Sequence, residues 1–313
     1  MSLDSGTATN PRTIDDAAAP RCAWCGAQLG PLPAFNDGFG TELCQACGAR
    51  TTVPIPTDAD LELGYGSWYR PAEGRFSAVG DRALRFSRGR LARRLDRIAP
   101  QGPILDVGAG DGALLDALGS VGRQASGLER RSTRRDVREA ELAEIEGEFA
   151  AVVFWHSLEH LRDAGASLDR AAELLAPGGV VVIAMPNPDS LQAQAFGDRW
   201  FALDLPRHLV HVPARTLLTR LRALGLEPTR VSHLRGGQVL FGWLHGIVGS
   251  LSENADLYDA IRRPEARRRP MSSGRRAGTL AAGAVAMPVS VACALLEAGL
   301  HRGGTIYVEA RRG

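Results

Sequence analysis

The stretch Ile104-Leu-Asp106-Val-Gly108-Ala-Gly110-Asp111-Gly112-Ala113 decides the fold. Residues 104–107 read as a short buried strand and residues 113–118 as the start of a helix, so the glycines fill a strand-to-helix turn. Glycines at such a turn let a ligand approach the backbone, and the helix N-terminus points its amides at it. Taken alone, Gly108-x-Gly110-x-x-Ala113 also fits the dinucleotide fingerprint. Glu129, at the end of the next strand, suits ribose hydroxyls in either case. Charge separates the two readings. Asp106 and Asp111 flank the loop; they would repel a pyrophosphate but suit a cationic ligand. S-adenosylmethionine carries an ammonium and a sulfonium and no phosphate.

Working outward, residues 81–98 form an arginine-rich helical pattern, 124–128 and 151–155 read as strands, and 166–175 has helical spacing. Residues 180–185 are a continuous β-branched run, 216–224 a helix that stops at Gly225, and 228–234 and 305–310 two further strands. Strands alternating with helices imply an α/β fold with a parallel sheet covered on both faces. The chain divides into a disordered tail at 1–20, a cysteine module at 21–50, and a linker with a helix at 51–100. The α/β domain follows at 101–235 with 305–313, interrupted by an insert at 236–304.

These motifs together resemble the class I S-adenosylmethionine-dependent methyltransferases, over roughly residues 102–234 plus the closing strand. The family's first motif reads LDVGAGDG here, Leu105 to Gly112. The fourth strand and its exit read Val152-Val-Phe-Trp-His-Ser-Leu-Glu-His160, close to the family's LEH signature. Leu175-Ala-Pro-Gly-Gly179 matches the turn before the fifth strand and Met185-Pro-Asn187 that strand's exit. The sequence departs from the family at Ala150, where many relatives carry Asp, and this puts the usual start of the fourth strand in question. The resemblance implies a Rossmann-like sheet of seven mostly parallel strands with the last antiparallel. It implies that Asp106, Gly108, Gly110 and Asp111 hold the methionine end of the cofactor, that Glu129 takes the ribose, and that His156 borders the cofactor. For the adenine contact it leaves Glu139 and Glu141 as candidates.

Cys22-Ala-Trp-Cys25 and Cys44-Gln-Ala-Cys47, each followed by glycine, form a CxxC…CxxC pattern. Zinc takes four thiolates at tetrahedral angles, and each CxxC turn presents two to one ion, so the spacing predicts a zinc ribbon. A closed four-cysteine site has no open position for water, which makes the expected zinc structural. Cys293 lies in an apolar run and reads as a buried, inert thiol. The pairing of ribbon and domain is similar to that of sugar C-methyltransferases with an N-terminal zinc module, whose cysteine context differs.

Sulfonium methyl transfer asks the protein to align nucleophile and methyl and, where needed, to remove a proton. Ligands of open α/β sheets bind at the carboxyl ends of the strands. Three features fall there: His156, Glu159 and His160; Asn187; and Trp200-Phe201 with Pro206-Arg-His208-Leu-Val-His211. His160 and His208 are the two candidate bases, with no choice between them at this stage. The competing reading is structural: Glu159 and His160 cap the next helix, and His208 fixes its loop. Tyr65, Trp68, Tyr69 and Arg70 read either as a lid over the cofactor or as an aromatic-packed linker. The Asn/Asp-Pro-Pro-aromatic box of base-amine methylation is replaced by Trp155-His-Ser-Leu158, which argues against DNA adenine or cytosine as acceptor.

In the insert, 239–261 is apolar to amphipathic, an arginine cluster from Arg262 to Arg276 follows, and 277–300 is apolar apart from Glu297 and broken at Pro288. A single span would strand residues 305–310 on the far side of a bilayer. The open readings are peripheral contact with an anionic membrane through 239–300, a helical cap on the sheet, or a dimer contact. Composition narrows the rest. The 313 residues carry 37 basic groups, all arginine, against 35 acidic ones, for a net charge of +2. That balance is too even for a protein that coats nucleic acid by bulk charge. The N-terminus has no apolar core of a secretory signal, so a cytoplasmic location with membrane association as an option is expected. The expected activity is methyl transfer to a small molecule, lipid-linked or hydrophobic if the membrane reading holds. The alternatives are an RNA methyltransferase using the ribbon, a non-catalytic cofactor-binding scaffold, and an NAD-linked dehydrogenase.

Overall fold

The computed structural model describes residues 20–30, 38–69, 76, 78–234, 236–252 and 254–313. The tail expected at 1–20 therefore falls, but for Pro20, outside the described residues, as does Arg70 of the aromatic strap.

In chain order, β1 (Gly40–Leu43) and β2 (Arg50–Val53) form an antiparallel hairpin, followed by α1 (Asp58–Tyr69) and α2 (Ala78–Ile98). The alternating portion runs β3 (Ile104–Val107), α3 (Ala113–Gly119), β4 (Ala125–Leu128), β5 (Val137–Arg138), β6 (Phe149–Trp155), α4 (Ala164–Glu173) and β7 (Leu175–Pro186). Then come α5 (Leu191–Phe196), β8 (Val210–His211), α6 (Ala214–Ala223) and β9 (Leu226–Ser232). The insert supplies α7 (Gly236–Leu251), α8 (Leu257–Ile261) and α9 (Ser273–Gly299) before β10 (Thr305–Arg312) closes the chain. The seven-stranded sheet has the order β5-β4-β3-β6-β7-β10-β9, with β10 antiparallel to both neighbours and the pairs from β5 to β7 parallel. This is the expected α/β architecture.

All four residues of β3 are buried, as a central parallel strand requires. Alternation sorts them between two cores. Leu105 and Val107 join Val152, Phe154 and Leu168 on one face, and Ile104 joins Leu91, Leu95, Leu114 and Leu118 on the other. Asp106 shares the parity of Ile104, so its carboxylate rises on the α2 and α3 side, where burial is costly for a charge. β6 begins at Phe149 with Ala150 fully buried in it, so the missing Asp does not delay the strand.

Three sequence readings are corrected. Leu175–Gly179 is not a turn before the strand but part of β7, where the register against β6 jumps from Phe149↔Leu175 to Ala151↔Val180. The extra residues form a bulge around Gly178, at φ +71°. Pro288 does not break its helix: α9 is continuous for 27 residues, with Pro288 on its exposed face. Cys293 is half-buried rather than sealed.

The cysteine module shares a core with the domain. Trp24, Leu29, Ala49 and Val53 pack in one cluster with Leu168, Val210, Leu217 and Leu221. β8 adds to β2 as a third strand, pairing Arg50↔His211 and Thr51↔Val210. Gly165 of α4 allows the closest approach, since a Cβ there would lie 1.8 Å from the Trp24 carbonyl oxygen. Arg220 of α6 locks the contact, donating to that oxygen and to both carboxylate oxygens of Asp169.

Candidate active site

The glycine loop leaves β3 with Gly108, Gly110 and Gly112 at φ +81°, +66° and +77°, a region that only glycine enters without strain. At Gly108 space forbids a side chain as well: a Cβ would sit 2.4 Å from that of Ser157 at the exit of β6. Glu129 Oε2 accepts from the Gly110 amide at 2.9 Å and Oε1 from the Arg130 amide at 3.0 Å, which closes the loop against the end of β4. Asp111 is exposed, and its Oδ1 accepts from the Ala113 amide at 3.2 Å, at the start of α3. A cleft of about 630 Å³ lies over the loop, lined by Gly110, Asp111, Arg131, Ser132, Thr133, Arg134 and Glu139. A larger one, about 940 Å³, lies between the cysteine module and α6, away from the loop.

Asp106 lies 3% exposed beneath the loop, and its Oδ1 has no hydrogen-bond partner within the protein. Burial pushes its carboxyl up to about 7; the Arg88 guanidinium opposes that rise while Glu129 and Asp111 add to it. Two more buried polar atoms at this edge lack protein partners, Ser157 Oγ and His156 Nε2. His156 itself is held at φ +54°, a left-handed conformation unusual for a non-glycine residue.

Past β6, the segment Leu158–His160 turns Glu159 and His160 inward, and the chain before β8 brings His208 to meet them. The two imidazole centroids are 4.7 Å apart. Glu159 is 1% exposed; its Oε1 lies 3.4 Å from His156 Nδ1 and 4.0 Å from His208 Nε2, and neither oxygen accepts a well-formed hydrogen bond. Burial alone would raise this carboxyl, but His156, His208 and His160 overcome it and hold it down at about 2. His160 Nδ1 lies 2.8 Å from the Arg207 carbonyl oxygen and 3.1 Å from the Tyr65 hydroxyl. A carbonyl only accepts, so Nδ1 carries the proton and Nε2 the lone pair. Burial and then His208 push this imidazole down to about 4. His208 Nδ1 donates in the same way to the Ala202 carbonyl at 2.9 Å, leaving Nε2 beside Glu159 and 3.8 Å from Asp204 Oδ2. One ligand atom each from Glu159, His160 and His208 falls within 4.8 Å of the others.

The histidine loop is held from the cysteine module. Thr52 on β2 donates its hydroxyl to the His208 carbonyl at 2.5 Å, and its amide donates to the Leu209 carbonyl at 3.0 Å. The four cysteine sulfurs lie within 4.8 Å of one another, with Cys22–Cys47 at 3.7 Å and Cys25–Cys44 at 3.5 Å. Tetrahedral zinc with Zn–S near 2.3 Å places its sulfurs roughly 3.8 Å apart, so the donor set fits that ion. Each knuckle closes with an amide from the following glycine, Gly26 to the Cys22 carbonyl and Gly48 to that of Cys44, at φ +73° and +77°.

Several site contacts were not anticipated from sequence, although Arg207 stands inside the stretch singled out around His208. Asp204 and Arg207 pair beside His208, and Arg268 reaches Asp204 at 3.5 Å. Arg134 bridges Asp116 and Asp136, both at 2.8 Å, and covers Gly112. Only the tertiary fold brings these pairs together. Glu139 does line the cleft, with Oε1 accepting from the Ser132 amide at 2.7 Å, whereas Glu141 forms a capping box with Glu144.

Residues 81–231 match the family described as "Methyltransferase domain". The match spans the alternating portion from α2 to β9, including the glycine loop and the histidine segment. Among curated proteins, a ubiquinone biosynthesis O-methyltransferase of Xanthomonas campestris pv. campestris (strain B100) is 30% identical over 143 residues, covering 38% of this chain and 60% of the relative. This chain thus spans 60% of the length of the curated relatives it matches. Among solved structures, a SAM-dependent methyltransferase from Archaeoglobus fulgidus is 17% identical with a TM-score of 0.44, covering 72% of this chain and 93% of the other. Magnesium protoporphyrin IX methyltransferase from Synechocystis PCC 6803, with bound SAH, is 14% identical with a TM-score of 0.42, covering 83% and 96%. S-adenosylmethionine is the cofactor that the resemblance drawn from the sequence implies. The site fits it: a buried carboxylate with a partnerless oxygen suits a cationic group, and a cleft opens at Gly110 and Asp111 of the same loop.

Proposed function

We propose that this protein transfers a methyl group from S-adenosylmethionine to an oxygen of a hydrophobic small molecule. The observation that carries the reading is Asp106, buried beneath the glycine loop with an oxygen that no protein group satisfies. The name of the curated relatives supports an oxygen acceptor, and the apolar surroundings described below support a hydrophobic one.

When bound, S-adenosylmethionine supplies an electrophilic methyl on a sulfonium whose departure leaves a neutral thioether. Asp106 would hold the ammonium end, and Gly108 and Gly110 put no side chain in its way. Glu129 offers its carboxylate to the ribose hydroxyls from the end of β4, and His156 Nε2 borders the site. His208 takes the acceptor's proton on Nε2, where Glu159 and Asp204 compensate the charge it gains. His160, held down at about 4, stays neutral at physiological pH and positions the Arg207 carbonyl and Tyr65 rather than acting as base.

A structural zinc ion bound by Cys22, Cys25, Cys44 and Cys47 belongs to the same reading. Its hairpin carries Thr52, which fixes the backbone at His208, so the ribbon serves to hold the catalytic loop. That role accounts for the ribbon without RNA. The test is methyl transfer from labelled S-adenosylmethionine into a membrane lipid extract and, separately, into bulk RNA. Label in a chloroform-soluble product, lost in His208→Gln, is expected; label in RNA alone would refute the acceptor class.

A further inference from the structure

Helix α9 is amphipathic in the opposite sense to a soluble surface helix. The face it packs inward is small and polar: Thr279, Gly283, Ala286, Ser290, Ala294 and Glu297 are buried. The face it turns to solvent is apolar, with Val285 82%, Val289 57%, Leu295 60%, Leu296 59% and Leu300 53% exposed. A helix of a soluble protein places these residue types the other way round. Glu297, the one carboxylate on the helix, is satisfied inside by Trp243 Nε1, the Gln192 amide and Gln192 Nε2, at 2.8–2.9 Å. From Ala277 to Leu300 no charged side chain is exposed. Apolar surface that extends the length of such a helix is covered by something in the working molecule.

Two features say what covers it. At the N-terminal end Arg269, Arg275 and Arg276 are exposed, and none forms an ion pair with a carboxylate among the described residues. Cations beside an apolar face match an anionic lipid surface. A second copy of the chain would bring the same uncompensated arginines. Crossing the bilayer is excluded by the anchoring of the helix's C-terminal end. Glu297 holds the C-terminal turn to α5 and α7, and β10 then enters the sheet between β7 and β9.

We propose that the outer face of α9, with Arg269, Arg275 and Arg276, seats the protein on an anionic phospholipid bilayer as an in-plane anchor. Its placement gives this a purpose. The α7–α9 excursion leaves the sheet after Ser232 and returns at Thr305, which pairs with Pro186 at the carboxyl end of β7. That is the edge carrying Asp106, His156 and His208, so the seated face borders the acceptor's entrance. The docking stands on α9 alone; delivery of the acceptor from the bilayer rests also on the methyl-transfer reading.

The test is flotation of the full chain with phosphatidylcholine vesicles, with and without phosphatidylglycerol to supply a negative surface potential. Binding to the anionic vesicles is expected. It should weaken about a hundredfold in the triple variant Arg269→Gln/Arg275→Gln/Arg276→Gln, at roughly fivefold per arginine. Val285→Glu/Val289→Glu should abolish it. Both variants should keep the parent's melting temperature and S-adenosylmethionine affinity. No flotation, or flotation unchanged in the arginine variant, would overturn the proposal. So would a dimer in sedimentation that Val285→Glu/Val289→Glu dissolves while vesicles are ignored. Flotation without cofactor binding would retain the anchor and remove the methyl-transfer reading; the converse would do the reverse.

Discussion

Replacing Asp106 by Asn keeps the side chain's size and removes the one charge beneath the glycine loop. In the unliganded protein this carboxyl titrates at about 7, because it is buried and faces Glu129 and Asp111. A cationic cofactor pairs with the ionised form, so binding expels a proton wherever the carboxyl was protonated. Below pH 7 the cofactor's own ammonium stays charged, which leaves the protein's groups to set the trend. Between pH 7 and 5.5 the ionised share of Asp106 drops from about one half to about one thirtieth, so affinity should weaken about fifteenfold. Proton release should rise from about one half toward one per site over the same interval. Asp106→Asn should bind about 10- to 100-fold more weakly at pH 7, the range for losing a charged hydrogen bond, and should lose this pH dependence. Calorimetric titration with S-adenosylmethionine in buffers of differing ionisation heat reads both quantities. A wild-type affinity that is flat over this range, or a slope that survives in Asp106→Asn, would refute the reasoning.

Three further outcomes follow from the same geometry. His208→Gln should lower turnover by about 10²- to 10⁴-fold with cofactor affinity unchanged, whereas His160→Gln should cost far less; steady-state kinetics with isothermal binding separates the two. Stripping metal with a chelator, or Cys44→Ser, should unfold the hairpin that carries Thr52 and cut turnover before the domain melts, checked by metal content and by near-ultraviolet circular dichroism of Trp24. Stability should fall as pH drops below about 6.5, because unfolded histidines bind protons that His160 and His211, pushed down to about 4 and about 3 by burial and His208, refuse when folded, while Asp106, raised to about 7, offsets about one of the two. The loss should approach about 1.4 kcal/mol per pH unit for each, and melting curves of His211→Gln should show a shallower slope than the parent.

What the sequence made legible and what it hid divide along physical lines. The strand-loop-helix at 104–113 was readable because a buried parallel strand is a short apolar run and the turn needs glycine at fixed places. The cysteine spacing was readable because zinc geometry acts locally, through two knuckles. Residues 305–310 were readable as the closing strand because Thr-Ile-Tyr-Val-Glu-Ala is a short run rich in β-branched and aromatic residues, buried throughout. The two-residue strands β5 and β8 were invisible, since two residues have no period. β8 mattered most: through it the cysteine module reaches His208, and nothing local in Val210-His211 signals a partner 160 residues away at Arg50 and Thr51. The β7 bulge hid for the opposite reason, because Ala-Pro-Gly-Gly looks like any turn. Pro288 misled because its cost to a helix is lowest on an exposed face, where water or lipid borders the freed carbonyl. At the site, the LEH motif located Glu159 and His160 but not Asp204 or Arg207, whose roles come from a loop folded back on that motif.

The central claim, a glycine loop over a buried carboxylate built for a cationic cofactor, is tested most directly by calorimetric titration of the purified protein with S-adenosylmethionine, S-adenosylhomocysteine and NAD. The expected result is micromolar binding of the first two, weakened in Asp106→Asn, and none of NAD. Tighter binding of NAD, or no binding of either sulfur ligand, would contradict it.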